Sequence, residues 1–373
     1  MPSKPVYLGI IGVGGVGTAF LKQLSRLPNA PSIVLLARSS QTLLSPAPSF
    51  SPAIPAADWQ TASSTAGLTK SGPLSPSEII SHLTSVPGRS VLVDNTSDPA
   101  LASAYPQFLR AGISIVTPNK KGFSSDLSLW KDIFESAARG NALVYHESTV
   151  GAGLPVISTL RDLVATGDEV TRIEGVFSGT LSFLFNTFAP VGPSSSAPPA
   201  KQWSEVVREA KELGYTEPDP RDDLNGMDVA RKLTILARIV GLEVPSPDSF
   251  PIDSLIPEEL ASIPSTAAGI DEFMKRLPEF DSRMADLKTK AELAGKVVRY
   301  VGSVDVGKKE VKVGLQQFDK DSAIANLKGS DNIISFYTKR YGSNPLIVQG
   351  SGAGGEVTAM GVLADLLKVL ERL

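Results

Sequence analysis

A chain of 373 residues, 42% of them hydrophobic, has enough apolar material for two or three packed domains. Its 36 Lys and Arg against 39 Asp and Glu leave a formal charge of −3, without the basic surplus that binding nucleic acid or an anionic membrane surface requires, so small molecules are the expected partners. Cysteine is absent and histidine occurs only at His82 and His146, which excludes disulfides, thiolate chemistry, cysteine-bearing zinc sites and a three-histidine metal site.

Residues 6–11 read as a buried strand, and glycines at 12, 14, 15 and 17 then lead into helical spacing over 18–27. The uncharged stretch 6–21 is too short for a bilayer and too rich in glycine for a signal-peptide core, so a cytoplasmic protein is expected. Strands follow at 33–37 and 91–93. Between them, residues 39–76 are crowded with Ser, Pro and Ala, which predicts a surface excursion with little regular structure. A helix over 99–111, a strand over 113–116, a helix over 130–139 and a strand over 142–145 continue the alternation. The class this predicts is α/β, a doubly wound Rossmann-type parallel sheet with helices on both faces.

From Gly151 the texture changes. Longer helical patterns at 154–164, 203–213 and 223–240 mix with strand-like runs at 172–177, 297–304 and 309–315, as in an α+β domain. The segment 190–200, PVGPSSSAPPA, has the composition of a linker. A second glycine run at 350–355 feeds an apolar helix over 356–370, which suggests that the chain returns to its first domain. The expected division is 1–150 for nucleotide binding, 151–345 for catalysis, and 346–373 as the returning segment.

The run Gly12-Val13-Gly14-Gly15-Val16-Gly17 is G-x-G-x-x-G between a buried strand and a helix. The first glycine permits the tight turn, the second lets a pyrophosphate approach the backbone, and the third lets helix and strand pack closely. Free N–H groups and the helix dipole then hold the anion. A site for NAD usually ends its second strand with an acid that binds the ribose hydroxyls. Here Arg38 and Ser39 stand there, with no acid before Asp58, and a guanidinium with hydroxyls suits a 2′-phosphate. NADP(H) is favoured, NAD(H) remains possible, and Arg38 as a mere solvated loop charge is the bland alternative.

Without cysteine and with two histidines, proton chemistry falls to Lys, Asp, Glu or Tyr. Residues 211–232 gather Glu217, Asp219, Asp222, Asp223 and Asp228 around two prolines, and Lys232 lies four residues after Asp228, on the same helix face. A surface ion pair would explain that spacing. Against it, Ala230, Leu233, Ile235 and Leu236 leave little solvated surface, and a lysine among apolar groups can give up a proton near neutrality. Acids nearby could also grip a substrate ammonium group. Asn95-Thr96-Ser97 and Lys120 each follow a strand, at the carboxyl edge where doubly wound sheets bind ligands. Glu147, beside the glycine turn 151–153, could assemble oxygen ligands for a hard cation, although a hinge would use the same glycines.

In combination, G-x-G-x-x-G, DNTS (94–97), TPNKK (117–121), HESTVGAGLP (146–155), FSGTLSF (177–183), ELGYTEPDPRDDLNGMDVARK (212–232) and SGAGGEVTAMGVLADL (351–366) resemble the homoserine dehydrogenase family, in its fungal monofunctional type. The likeness runs in one order across nearly the whole chain. It implies NAD(P)H-dependent reduction of L-aspartate 4-semialdehyde to L-homoserine, on the route to threonine and methionine. By the resemblance, Lys232 is the proton donor, Glu217 and Asp228 contact the amino acid, Asp223 orients the reacting group, and Lys120 lies near substrate and nicotinamide. Gly12 to Gly17, Thr96 with its neighbour Ser97, and Gly354 would contact the cofactor. Glu147, Val150, Ala152 and Leu154 match the family's monovalent-cation site, with Na+ as the usual occupant. A homodimer formed through the second domain is also implied. Neither an aspartate kinase half nor an ACT domain is expected, so feedback control through such a domain is not. Arg38 departs from relatives that carry an acid or a neutral residue there, and insertions at 44–57 and 190–200 look long for the family. Two further readings stay open: a dehydrogenase for another amino-bearing aldehyde, and a redox-sensing regulator that binds NADP(H) without turnover.

Overall fold

The computed structural model describes residues 5–192 and 201–373, so most of the linker-like segment 190–200 lies outside the described residues. The chain forms two compact units, one of residues up to 157 together with 353–373, the other of residues 158–352.

In the first unit, seven strands make one sheet: β1 (Val6–Ile11), β2 (Ser32–Ala37), β3 (Thr42–Leu44), β4 (Thr69–Ser71), β5 (Arg89–Asp94), β6 (Ser114–Val116) and β7 (Val144–Tyr145), in the order β4-β3-β2-β1-β5-β6-β7. The five strands from β2 to β7 across β1 run parallel, and their near-continuous Val, Ile and Leu content reflects burial on both faces. The core joins Leu8, Ile10, Ile33, Leu36, Val91 and Val93 to Phe20, Leu21 and Leu24 of the helix Gly15–Leu24 and to Val362, Leu366 and Val369 of the helix Gly355–Leu370.

Two expectations need correction here. The excursion 39–76 is not without regular structure: β3 and β4 extend the parallel sheet by an antiparallel pair, with Leu43 and Ile54 buried beneath. Proline density hid strands of three residues each. The single helix expected over 99–111 is two, Pro99–Ser103 and Tyr105–Arg110, because Pro106 has no N–H to carry the ladder through.

The second unit is built on an antiparallel sheet of β8 (Val170–Val176), β9 (Lys296–Asp305), β10 (Glu310–Asp319), β11 (Asp331–Thr338) and β12 (Leu346–Ser351), ordered β10-β9-β8-β11-β12. Helices Gly179–Phe188, Met227–Ile239 and Asp281–Leu293 pack on it. At Gly302 a Cβ would come 2.7 Å from Leu233 Cδ1, so the absent side chain lets the helix Met227–Ile239 sit directly on β9. The helical stretch expected over 223–240 is broken at Gly226, whose φ of +74° separates Arg221–Leu224 from Met227–Ile239. Arg299 of β9 donates to the carbonyls of Phe185 and Ala189, tying down the end of Gly179–Phe188, and burial lowers its guanidinium to about 10. Among the described residues no helix is long and apolar enough to cross a membrane.

Candidate active site

The residues singled out in the sequence fall on both units, and each set has its own geometry. In the first unit β1 lies where the strand order reverses, with β2 on one side and β5 on the other, the position at which doubly wound sheets take ligands. Gly12 leaves β1 with φ +88°, and a Cβ there would press on Thr96 Cγ2 at 2.7 Å. A Cβ on Gly17 would collide with the Gly12 carbonyl, whereas Gly14 and Gly15 face open space. The first and third positions of the motif are therefore closed by the protein itself, and the middle is left clear for a ligand. Gly355 lies against this turn, since a Cβ on it would be 3.4 Å from the Gly15 carbonyl, and Gly354 before it has φ +111°.

The strand ends beside the turn are braced by a buried carboxylate that sequence reasoning did not single out. Asp94, fully buried, accepts from the Thr96 N–H at 2.8 Å, from Asn119 Nδ2 at 3.1 Å and from the Tyr105 hydroxyl. Thr117 Oγ1 donates to the Asp94 carbonyl at 2.8 Å. Burial, and then the Asp94 charge, push the Tyr105 phenol well above its usual range, so it stays a donor. This network fixes the loops that carry half-buried Thr96, exposed Ser97 and half-buried Lys120. Both polar atoms of the Asn95 amide are buried without a hydrogen-bond partner among the described residues, next to the glycine turn. Buried polar groups are rarely left so, and a bound nucleotide would supply partners.

Arg38 and Ser39 are exposed past the end of β2, with the Arg38 guanidinium 5.5 Å from the centre of the Trp59 ring. Both histidines belong to packing: His146 stacks on Phe123 with ring centres 4.0 Å apart, and His82 bonds the Val34 carbonyl at 3.1 Å.

Glu147 is 6% exposed, its Oε1 accepting from the Ile157 N–H at 2.7 Å and its Oε2 lying 3.7 Å from Lys368 Nζ. Its own N–H donates to buried Asp365 at 2.7 Å. Val150 and Ala152 are buried and Leu154 half-buried, and Gly151 and Ala152 both have positive φ, which bends this loop tightly. A carboxylate beside main-chain oxygens could hold a hard cation, and the lysine beside it offsets part of the negative charge. No cluster of three or more His, Cys, Asp or Glu that could hold a metal occurs among the described residues.

In the second unit Lys232 is buried in the helix Met227–Ile239, yet its Nζ stands 2.7 Å from Asp228 Oδ2 and 2.6 Å from the Phe177 carbonyl at the end of β8. The helix Gly179–Phe188 begins immediately after, capped by Ser178. Asp223 is half-buried and accepts from the Glu217 N–H at 2.8 Å. Burial, helped by the charges of Glu217 and Asp228, pushes its carboxyl up to about 6, against the pull of the Glu217 N–H and the Thr180 hydroxyl. Glu217 itself is exposed. Of the remaining acids, Asp219 is spent on Arg221, which also holds the carbonyls of Ile263 and Pro264. The acid-rich stretch thus holds the Asp219–Arg221 pair and, apart from it, Glu217, Asp223, Asp228 and Lys232, which lie close enough to act on one another. The Phe177 carbonyl and Asn332, which also bonds it, were not found from sequence; FSGTLSF marked the place without the reason.

A nucleotide turn at the switch point of one unit and an acid-held lysine on the other define an NAD(P)-dependent oxidoreductase. The family model for homoserine dehydrogenase matches residues 155–367, and the model for its NAD-binding domain matches 12–147. The chain belongs to the homoserine dehydrogenase family and has that activity. It is 80% identical to the homoserine dehydrogenase of Emericella nidulans and 50% identical to that of Saccharomyces cerevisiae, in both cases over 100% of each chain. A solved Candida auris protein of unknown function, 50% identical, superposes with a TM-score of 0.91 over 99% of both chains. A hyperthermophilic archaeal homoserine dehydrogenase in complex with NADPH, 22% identical, shares the fold with a TM-score of 0.70 over 99% of this chain and 98% of that one.

Proposed function

We propose that this chain reduces L-aspartate 4-semialdehyde to L-homoserine with NADPH in preference to NADH, and that Lys232 protonates the alkoxide as it forms. The observation that carries this reading is the Lys232 ammonium, 7% exposed and pinned between the Phe177 carbonyl and Asp228. An ammonium so held loses little freedom on meeting a carbonyl oxygen. Glu217 and Asp228 offer negative charge to the substrate ammonium, and Asp223 orients the reacting group. When bound, the nicotinamide supplies the hydride; Gly12, Val13, Gly14, Gly15, Val16 and Gly17, with Thr96, Ser97, Lys120 and Gly354, are the residues proposed to hold the cofactor. Arg38 backed by Trp59, with Ser39 beside it, supports the NADP preference, because a 2′-phosphate gains charge-assisted bonds there.

Glu147 with the carbonyls of Val150, Ala152 and Leu154 is proposed to bind a monovalent cation, Na+, supported by the low charge and all-oxygen character of that loop. A homodimer through the second unit is proposed as well. Since Gly302 faces the helix Met227–Ile239, Ser303 points to the other side of the sheet, where Arg172 and Lys312 line an open polar surface.

Lys232→Ala is expected to lower turnover about 10²- to 10⁴-fold while the affinity for NADPH, read from quenching of its fluorescence, changes little. Turnover within about twofold of the parent would remove lysine from the chemistry.

A further inference from the structure

The carbonyl of Phe177 has two donors. Lys232 Nζ reaches it at 2.6 Å, and Asn332 Nδ2 reaches it at 3.1 Å from the second residue of β11. Asn332 has no exposed surface, and its Oδ1 is buried without a hydrogen-bond partner among the described residues. Half of this amide is thus unsatisfied in the core, a placement that lowers stability relative to an apolar residue of similar shape. The chain also makes room for it: a Cβ on Gly352 would collide with the Asn332 amide, although the backbone of Gly352 needs no positive φ. The bond that the amide does make goes to the Phe177 carbonyl, the atom that Lys232 also holds, and Gly352 leaves the space in which it is made.

We propose that Asn332 is a positioning residue for the reaction. By fixing the Phe177 carbonyl it fixes the ammonium of Lys232, and Gly352 keeps the space that the amide occupies. The inference rests on the reading of Lys232 as proton donor, and it gives the main-chain carbonyl of Phe177 the work of aiming that donor. A carbonyl held on one side by a side-chain amide cannot follow the lysine when the lysine moves. The Nζ position is therefore set by β8 and β11 together with Asp228 of its own helix.

The test is a double-mutant cycle read in kcat, with KM for NADPH and thermal midpoint measured alongside. Asn332→Ala is expected to lower kcat about 10- to 100-fold, the cost of a misdirected catalytic group, with KM for NADPH unchanged. Gly352→Ala, which displaces the amide while leaving Asn332 in the chain, should give a loss of the same order. In the Lys232→Ala background neither substitution should lower kcat further, because there is no ammonium left to aim. A loss of the same factor in both backgrounds would assign Asn332 to structure alone, and full kcat in both single variants would also overturn the proposal. Lys232→Ala with parental kcat would instead overturn the reading of the lysine, and with it the inference, at a different point of the cycle.

Discussion

Asp223 shows at the level of one residue what a half-buried carboxylate costs the fold. Its carboxyl is raised from 3.8 to about 6, so the folded chain binds that proton more tightly than the unfolded chain does. The stability tied to the protonated form is complete below about pH 4 and is lost as the pH rises through about 6. At neutral pH the enzyme holds a half-buried carboxylate whose neighbours Glu217 and Asp228 repel it. Asp223→Asn removes the charge, and with it chiefly the cost of burying it and also that repulsion. The thermal midpoint of the variant should exceed that of the parent at pH 7.5 and match it near pH 4, while turnover falls at least tenfold, on the order of a lost acid–base or orienting group. Melting curves across that range decide it; a less stable variant at pH 7.5 would mean that the charge is compensated in the fold. The pairing of Asp228 with Lys232 was readable in advance because it is local, four residues along one helix. Asn332 was not readable, since it acts through a main-chain carbonyl 155 positions away and no residue type records that.

For the helix Met227–Ile239, what matters is its seat. Leu233 rests on Gly302, and the neighbouring Lys232 takes its height above the sheet from that contact. Gly302→Val should force the helix outward, at about 1–3 kcal/mol of stability in urea unfolding, and should lower turnover as the lysine leaves the Phe177 carbonyl. Gly307→Ala, where a Cβ would meet only Asp305 at 3.6 Å, serves as the control and should alter neither. Strands of the parallel sheet were legible because burial on both faces writes them as apolar runs. The pair β3 and β4 was not, being three residues each inside a proline-rich stretch. Asp281–Leu293 escaped notice because its apolar residues are few and spread around the helix, and Ala267–Arg276 because it buries only Gly269 and Phe273. Gly226 and Pro106 mark the two helix breaks that periodicity ran through, since an apolar pattern carries no sign of the backbone angle between its halves.

Over the whole molecule the alternation of strands and helices carried the fold class, and the order of motifs carried the family, because seven separate patterns in one sequence leave few alternatives. The bracing of one loop by another did not come through: Asp94 with Asn119, or Glu147 with Asp365, pair residues whose types are ordinary wherever they occur. The helix Gly355–Leu370 brings Ala359, Val362, Leu366 and Val369 into the core of the first unit, and Glu356 bonds Lys22 and Gln23 of the helix that follows the glycine turn. A chain cut after Gly352 should therefore lose NADPH binding, measured by fluorescence quenching, and should melt in two steps with the first well below the parent midpoint. Unchanged NADPH affinity would show that the first unit closes without that helix.

The same helix sets a timetable. A ribosome adding about 5–20 residues per second lets a contiguous stretch such as 158–352 collapse soon after it emerges. The earlier strands β1 to β7 must wait, with one flank of their hydrophobic interior bare, until residue 370 has been made. The oldest part of the nascent polypeptide thus keeps apolar surface uncovered for longer than the stretch made after it.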